Sequence, residues 1–296
     1  MSFRVFLCTP MQAKTVPTEK TIERSQLMER ITRSFQLVSQ SYQVLMRDKE
    51  LMILPLVSGV IMAFVVGIVA LGLSLGSGVL EPRGLGLYVP VFLIYVVMYS
   101  IGIFFQAAVV AGATERMRGG DPTVASALTA AWNRLGPIVM WAVVAATVGM
   151  VLRAIQDRVG FVGKIVAGFA GVAWSLATFF IVPVLVLEDK SIEESFMQSV
   201  SVFKKTWGET MAGGVSLGGA AFCAWLALFA LAALIAMILV PLAIVLFVAG
   251  AILLGIFFSA LQGIYVASLY RYATEGSVPP GFDRTLFDNA FVPKRS

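Results

Sequence analysis

The sequence predicts an all-α fold: a polytopic membrane bundle of six transmembrane helices with short amphipathic helices on its cytoplasmic side. Three observations carry that prediction. Charged residues make up 13% of the 296-residue chain, about half the roughly 25% of an ordinary soluble domain, and mean hydropathy is +0.88. Five stretches without charge, 51–80, 84–114, 135–152, 165–187 and 210–270, mostly match or exceed the roughly 18–20 apolar residues that cross a bilayer as a helix. Finally, 18 of the 22 Lys and Arg residues fall on one side of the implied spans and 4 on the other, which by the positive-inside rule makes both termini cytoplasmic and places the protein in the cell membrane.

Residues 1–25 contain no apolar run of signal-peptide length. Their polar, proline-containing part reads as a mobile leader or as an extension ahead of a start at Met28. Residues 26–296 read as one membrane domain. An amphipathic helix is expected over 26–49, where Met28, Ile31, Phe35, Val38, Tyr42 and Leu45 recur every three or four positions, the spacing of one helical face. The spans are expected at 51–75, 86–113, 136–155, 161–187, 211–238 and 242–270. The last two share a 61-residue uncharged stretch, too long for one crossing, and Pro241 marks the turn inside it. Pro137 suits the opening of the third span, because a first-turn residue needs no N–H donor. Pro183, about a turn before Glu188, is expected to kink the fourth span or free a carbonyl there. A β-barrel is not indicated, since segments of about ten alternating residues do not occur.

The cytoplasmic segments share a plan. Over 191–207, Ser191 and Glu194 have capping-box spacing, and Ile192, Phe196, Val200, Phe203 and Trp207 form one apolar face. Residues 121–135 read alike: 121–128 match 189–196 in character, and Val124, Leu128, Trp132 and Leu135 share a face. With 26–49 as a third instance, the chain reads as an amphipathic helix followed by a transmembrane hairpin, three times over. An acidic residue follows each return: Glu115, Glu188 and Glu275. Such a parallel repeat would have its pseudo-symmetry axis along the membrane normal. The remaining residues, 271–296, form a tail.

Lipid tails are as apolar as leucine, so spans associate through small residues rather than the hydrophobic effect. Ala251, Gly255, Ser259, Gly263 and Ala267 fall four apart on the sixth span and are expected to be its contact face. Gly214 and Gly218 on the fifth, and Ala167 and Gly171 on the fourth, are the expected acceptors. Gln106 and Gln262 are the two amides at depth. An interhelical hydrogen bond, typically about 0.6–2 kcal/mol, is the preferred reading over a solute contact. Arg153 and Asp157, one turn apart, are expected to pair.

The centres of all six spans lack charge, which argues against coupling through buried carboxylates and against a voltage sensor. There is no histidine, hence no Ser-His-Asp nucleophile and none of the commonest metal ligand. No phosphate-binding glycine loop occurs, Cys8 and Cys223 cannot form a disulfide framework, and no catalytic residue, cofactor or metal is assigned. Basic residues such as Arg24, Arg30, Arg33, Arg47 and Lys49 alternate with acids. They fit anionic lipid headgroups better than nucleic acid.

Two families invite comparison. Length, six spans and three repeats match the mitochondrial solute carriers, but their Pro-x-Asp/Glu-x-x-Lys/Arg signature is missing from every repeat. The chain instead resembles an uncharacterised family of bacterial and archaeal polytopic membrane proteins. The resemblance runs over about residues 28–296. It rests on Ser34 and Phe35 through the run Arg47, Asp48, Lys49, Glu50 and Leu51; on 180–188 around Pro183, with Ser195 and 204–208; and on 270–276 with Pro280, Phe282, Asp283, Ala290 and Phe291. It implies fold and topology and no activity. The leading expectation is therefore a non-enzymatic scaffold or accessory subunit that associates with lipid, a protein partner or its own copies. Ile192, Phe196, Phe203, Trp207 and Trp132, together with 282–291, would be its docking surface. The alternative is a transporter or channel for an apolar or lipid-like solute.

Overall fold

In the computed structural model the described residues are 39, 41–74 and 88–276. The leader, most of the first amphipathic helix, the loop containing Arg83 and the tail beyond Gly276 lie outside them. After helical residues 41–47 and a 3-10 turn, Lys49–Met52, nine α-helices follow and no strand occurs among the described residues. These are α1 (Ile53–Ser74), α2 (Tyr88–Met117), α3 (Val124–Trp132), α4 (Leu135–Arg158), α5 (Phe161–Ala177), α6 (Ile181–Leu187), α7 (Ile192–Lys205), α8 (Trp207–Ala236) and α9 (Val240–Glu275).

Six segments are long and apolar enough to cross a bilayer, with α5 and α6 together making the fourth. The chain is a multi-pass membrane protein. Most span limits differ from expectation by a few residues. The larger difference is at the cap end of the bundle, the end where α2 and α9 finish, for α2 continues to Met117 and α9 to Glu275. Helix α9 stops at Gly276, whose φ of 62° is a left-handed conformation that lets its N–H close on the Tyr272 carbonyl. At its start Pro241 sits in the first turn, after the chain reverses at 237–239.

Helices α2 and α9 form the centre. They pack on each other, with α1, α3, α4 and α6 around α2 and with α8 along α9. At their crossing Gly263 meets Val109: a Cβ on the glycine would stand 2.6 Å from Val109 Cγ1. Ala267, one turn on, is fully buried. The expected contact stripe thus packs only toward its cap end. Gly255 and Ser259 are exposed, and a Cβ at Gly255, Gly214 or Gly218 would meet nothing within 4 Å. The pairing of the stripe with Gly214 and Gly218 is not made, because α8 follows α9 along a different face. Gly250, packed on Leu228 of α8, is on the joining face instead.

One end of the bundle is laced by charge. Arg116 at the end of α2 makes two hydrogen bonds to the buried Asp48 ahead of α1 and a third, 2.7 Å, to Asp121. Arg134 reaches Asp189 at 2.6 Å, and Arg118 reaches Glu275 at 3.1 Å. Tyr270 donates to Glu188, which also pairs with Lys190 at 2.5 Å. Arg271 is 7% exposed and donates through Nε and Nη2 to Glu275. These contacts tie the turns after α2, α6 and α9 to one another and gather α3 and α7 at the same end. Helices α3 and α7 both open on a capping box, Thr123 with Ser126 and Ser191 with Glu194. Hydrogen bonds from the Ser191 backbone N–H first, and then its hydroxyl, hold the Glu194 carboxyl below its usual pKa.

Candidate binding cavity

The fourth span does not kink at Pro183 but breaks between Ala177 and Ile181, at 178–180, three to five residues earlier. Pro183 has no N–H to offer the carbonyl of Phe179, so the ladder is already interrupted there. Thr178 turns its hydroxyl back to Trp174 O, 2.9 Å. The gap is bridged from another helix: Ser199 Oγ of α7 accepts from Phe180 N–H at 3.1 Å and donates to Ala177 O at 2.7 Å. Irregular backbone at bilayer depth is tolerated where protein covers it or where it lines a cavity. Both conditions hold here, because Thr178 and Phe179 form part of a cavity wall.

That cavity, about 940 Å³, lies between α1, α2, α4, the broken fourth span and α9. A second, about 640 Å³, lies between α1, α2 and α9. Met62, Gly102, Gln106 and Gln262 line both, so the two adjoin along these residues. Gly102 allows α1 and α2 to approach at this junction, where a Cβ would stand 3.2 Å from Met62 Cε. Gln106 is half-buried and Gln262 exposed. The expected interhelical hydrogen bond, to each other or to backbone, is not made, since neither amide bonds to another described residue. The two face open space from neighbouring central helices, 18 and 22 residues from the starts of α2 and α9, or about 27 and 33 Å along their axes.

Apart from Ser175 and Thr178, the rest of the larger cavity is apolar and aromatic. Trp141 and Trp174 stack at 5.7 Å with planes 13° apart, and Phe196 of α7 lies against both at 6.3 and 5.8 Å. Away from the cap end, Tyr95 and Tyr99 stack at 6.4 Å. There Arg153 donates to Tyr95 Oη at 3.3 Å; the expected ion pair with Asp157 is not formed.

Helix α7 is where the sequence reading needs most correction. Phe196 is half-buried in the tryptophan stack, Phe203 is 6% exposed and Ile192 packs on the core. Three of the five expected docking residues are therefore spent inside the chain, because α7 packs its apolar face against the broken fourth span. Trp132 and Trp207 are 65% and 54% exposed and remain available. Ser195 and Ser199 are both fully buried; Ser195 stood out only in the family resemblance and Ser199 not at all. Two serines four apart, adjoining the apolar face of an otherwise amphipathic helix, were the signal for a buried polar seam.

A family model described as a family of unknown function, DUF6159, matches residues 85–280. The chain belongs to that family. The DUF6159 region covers α2 to α9, hence both amides, the aromatic wall and the bridging serine, and leaves α1 outside. Neither a curated protein nor a solved structure matches the chain.

Proposed function

We propose that this chain is a non-enzymatic membrane protein that binds, and passes across its bilayer, an apolar or lipid-like solute through the adjoining cavities. One observation carries the reading: Gln106 and Gln262 stand without hydrogen-bond partners among the described residues on the wall of mostly apolar cavities of about 640 and 940 Å³. Amides at bilayer depth ordinarily find partners within the bundle. Two that face space instead are suited to a solute that brings its own carbonyl, ester or hydroxyl. Pockets of this size, mostly apolar with a few convergent polar groups, are the usual form of a small-molecule site.

The scaffold reading is second. Exposed Trp132 and Trp207 on the capped end favour it, since they fit a membrane interface or a partner, while the burial of Phe196 and Phe203 weighs against α7 as a docking helix. The placement we propose has both termini cytoplasmic in the cell membrane, with the ion-paired cap facing anionic headgroups. The charge asymmetry of 18 against 4 supports it. The capping boxes of α3 and α7 support a repeated plan.

Reconstitution into liposomes with a fluorescent lipid analogue tests the solute reading. Time-dependent loss of fluorescence to an outside quencher is expected to exceed that of empty vesicles. Gln106→Leu with Gln262→Leu is expected to slow it severalfold. Flux equal to protein-free vesicles contradicts the transport reading.

A further inference from the structure

We infer that the larger cavity takes one chain of a membrane phospholipid with an anionic headgroup, and that Arg153 holds the headgroup at the mouth. The inference rests on the cavity reading above and adds the identity of the ligand.

The mouth is defined by exposure. Val66 and Tyr99, which line the cavity, are 54% and 38% exposed, and Ser175 of α5 is exposed beside them, so the space opens sideways where α1, α2 and α5 face the bilayer chains. Ile94 and Tyr95 mark its outer limit on α2, Tyr95 standing eleven residues before Gln106, about 16 Å along the helix. A chain entering beside Tyr95 can therefore run down the cavity until it reaches the amides.

Charge selects the headgroup. Among the described residues, the end of the bundle away from the cap carries Arg153, Arg158 and Lys164 against Asp157 alone. Arg153 is exposed, does not pair with Asp157 and is oriented by its hydrogen bond to Tyr95 Oη. A guanidinium held by one neutral hydroxyl keeps most of its five N–H donors for a planar phosphate fork. Arg153 is thus a cation positioned on Tyr95 of the wall of a long, mostly apolar cavity, and a phosphodiester joined to an acyl chain complements both parts.

The cavity contains its own reporters. Two of the five tryptophans, Trp141 and Trp174, line it. In the variant Trp132→Phe, Trp207→Phe, Trp225→Phe these two alone emit. Its fluorescence is compared in phosphatidylcholine nanodiscs carrying an equal fraction of either brominated-chain phosphatidylglycerol or brominated-chain phosphatidylcholine. The full-length chain with Trp141→Phe and Trp174→Phe gives the baseline for lipid around the bundle. Quenching is expected to be at least twofold stronger with the brominated anionic lipid. Arg153→Gln should abolish that preference, Arg153→Lys should keep part of it, and Arg158→Gln should leave it unchanged. Equal quenching by the two brominated lipids, or a preference that survives Arg153→Gln, overturns the headgroup assignment while leaving the cavity reading intact. No quenching above baseline by either lipid overturns both.

Discussion

Replacing Gly263 by alanine tests the packing of the two central helices, with Gly255→Ala on the same face of α9 as its internal control. Both glycines lie inside one helix, so both substitutions gain the same intrinsic preference, about 1 kcal/mol. They differ in what the new methyl meets. At Gly255 it meets nothing within 4 Å; at Gly263 it stands 2.6 Å from Val109 Cγ1 and 3.3 Å from Val109 Cβ. Val109 is 2% exposed, and its β-branched side chain has essentially one rotamer in a helix. It cannot swing aside, so α2 and α9 must part by some tenths of an ångström, and overpacking of this kind costs about 1–3 kcal/mol. The alanine variants should therefore differ in unfolding free energy by about 1–3 kcal/mol, with Gly263→Ala the less stable. Reversible unfolding in mixed micelles by added sodium dodecyl sulfate measures this. Val109→Ala removes the obstructing atoms, so Gly263→Ala should cost at least about 1 kcal/mol less in that background, a coupling within the range for touching residues. Equal stabilities of the two alanine variants, or no coupling to Val109, would refute the assigned crossing.

Other perturbations follow from single contacts. Ser199→Ala leaves Phe180 N–H and Ala177 C=O without their bridge. It should destabilise by about 1–3 kcal/mol and speed amide exchange at 178–181 relative to α2. Arg116→Ala strands Asp48, which is 6% exposed. Because Arg116 itself is 31% exposed, its loss should fall below the about 3–5 kcal/mol of a fully buried pair. Arg134→Ala, whose partner Asp189 is 92% exposed, should cost only about 0–1 kcal/mol; unfolding of both variants in the same micelles ranks them. The Glu194 carboxyl is held below its ordinary value of 4.5 by Ser191, so its contribution is complete above that value and is lost as pH falls through the lowered one. Melting temperature should drop more for wild type than for Glu194→Gln across that window, while Ser191→Ala should remove the difference at a cost near 1 kcal/mol.

Much of the architecture was legible in the sequence because bilayer crossings are specified by composition. Uncharged runs locate α1, α2, α4 and the α8–α9 pair, and a serine–glutamate spacing locates the start of α7. Gln106 and Gln262 stood out for the same reason, as polar groups where polar groups are costly. Composition does not say what lies beside a residue. Gly255 and Gly263 are equivalent in a four-residue stripe, yet only one meets Val109, because the crossing point of α2 and α9 is set by side chains on both helices. The fate of Phe196 was likewise hidden. An amphipathic face reads the same whether it lies on lipid or stacks on Trp141 and Trp174, and the break at 178–180 that admits α7 depends on Ser199, nineteen or more residues away. Pro183 signalled that the fourth span is interrupted, and the position of the interruption was set by Thr178 and that serine.

The most direct test is a density map of the protein in lipid nanodiscs. The account predicts elongated density in the larger cavity that runs along α2 beside Tyr95 and ends at Gln106 and Gln262, with the two amides apart. A map in which those amides bond to each other and the surrounding side chains close the space would contradict it.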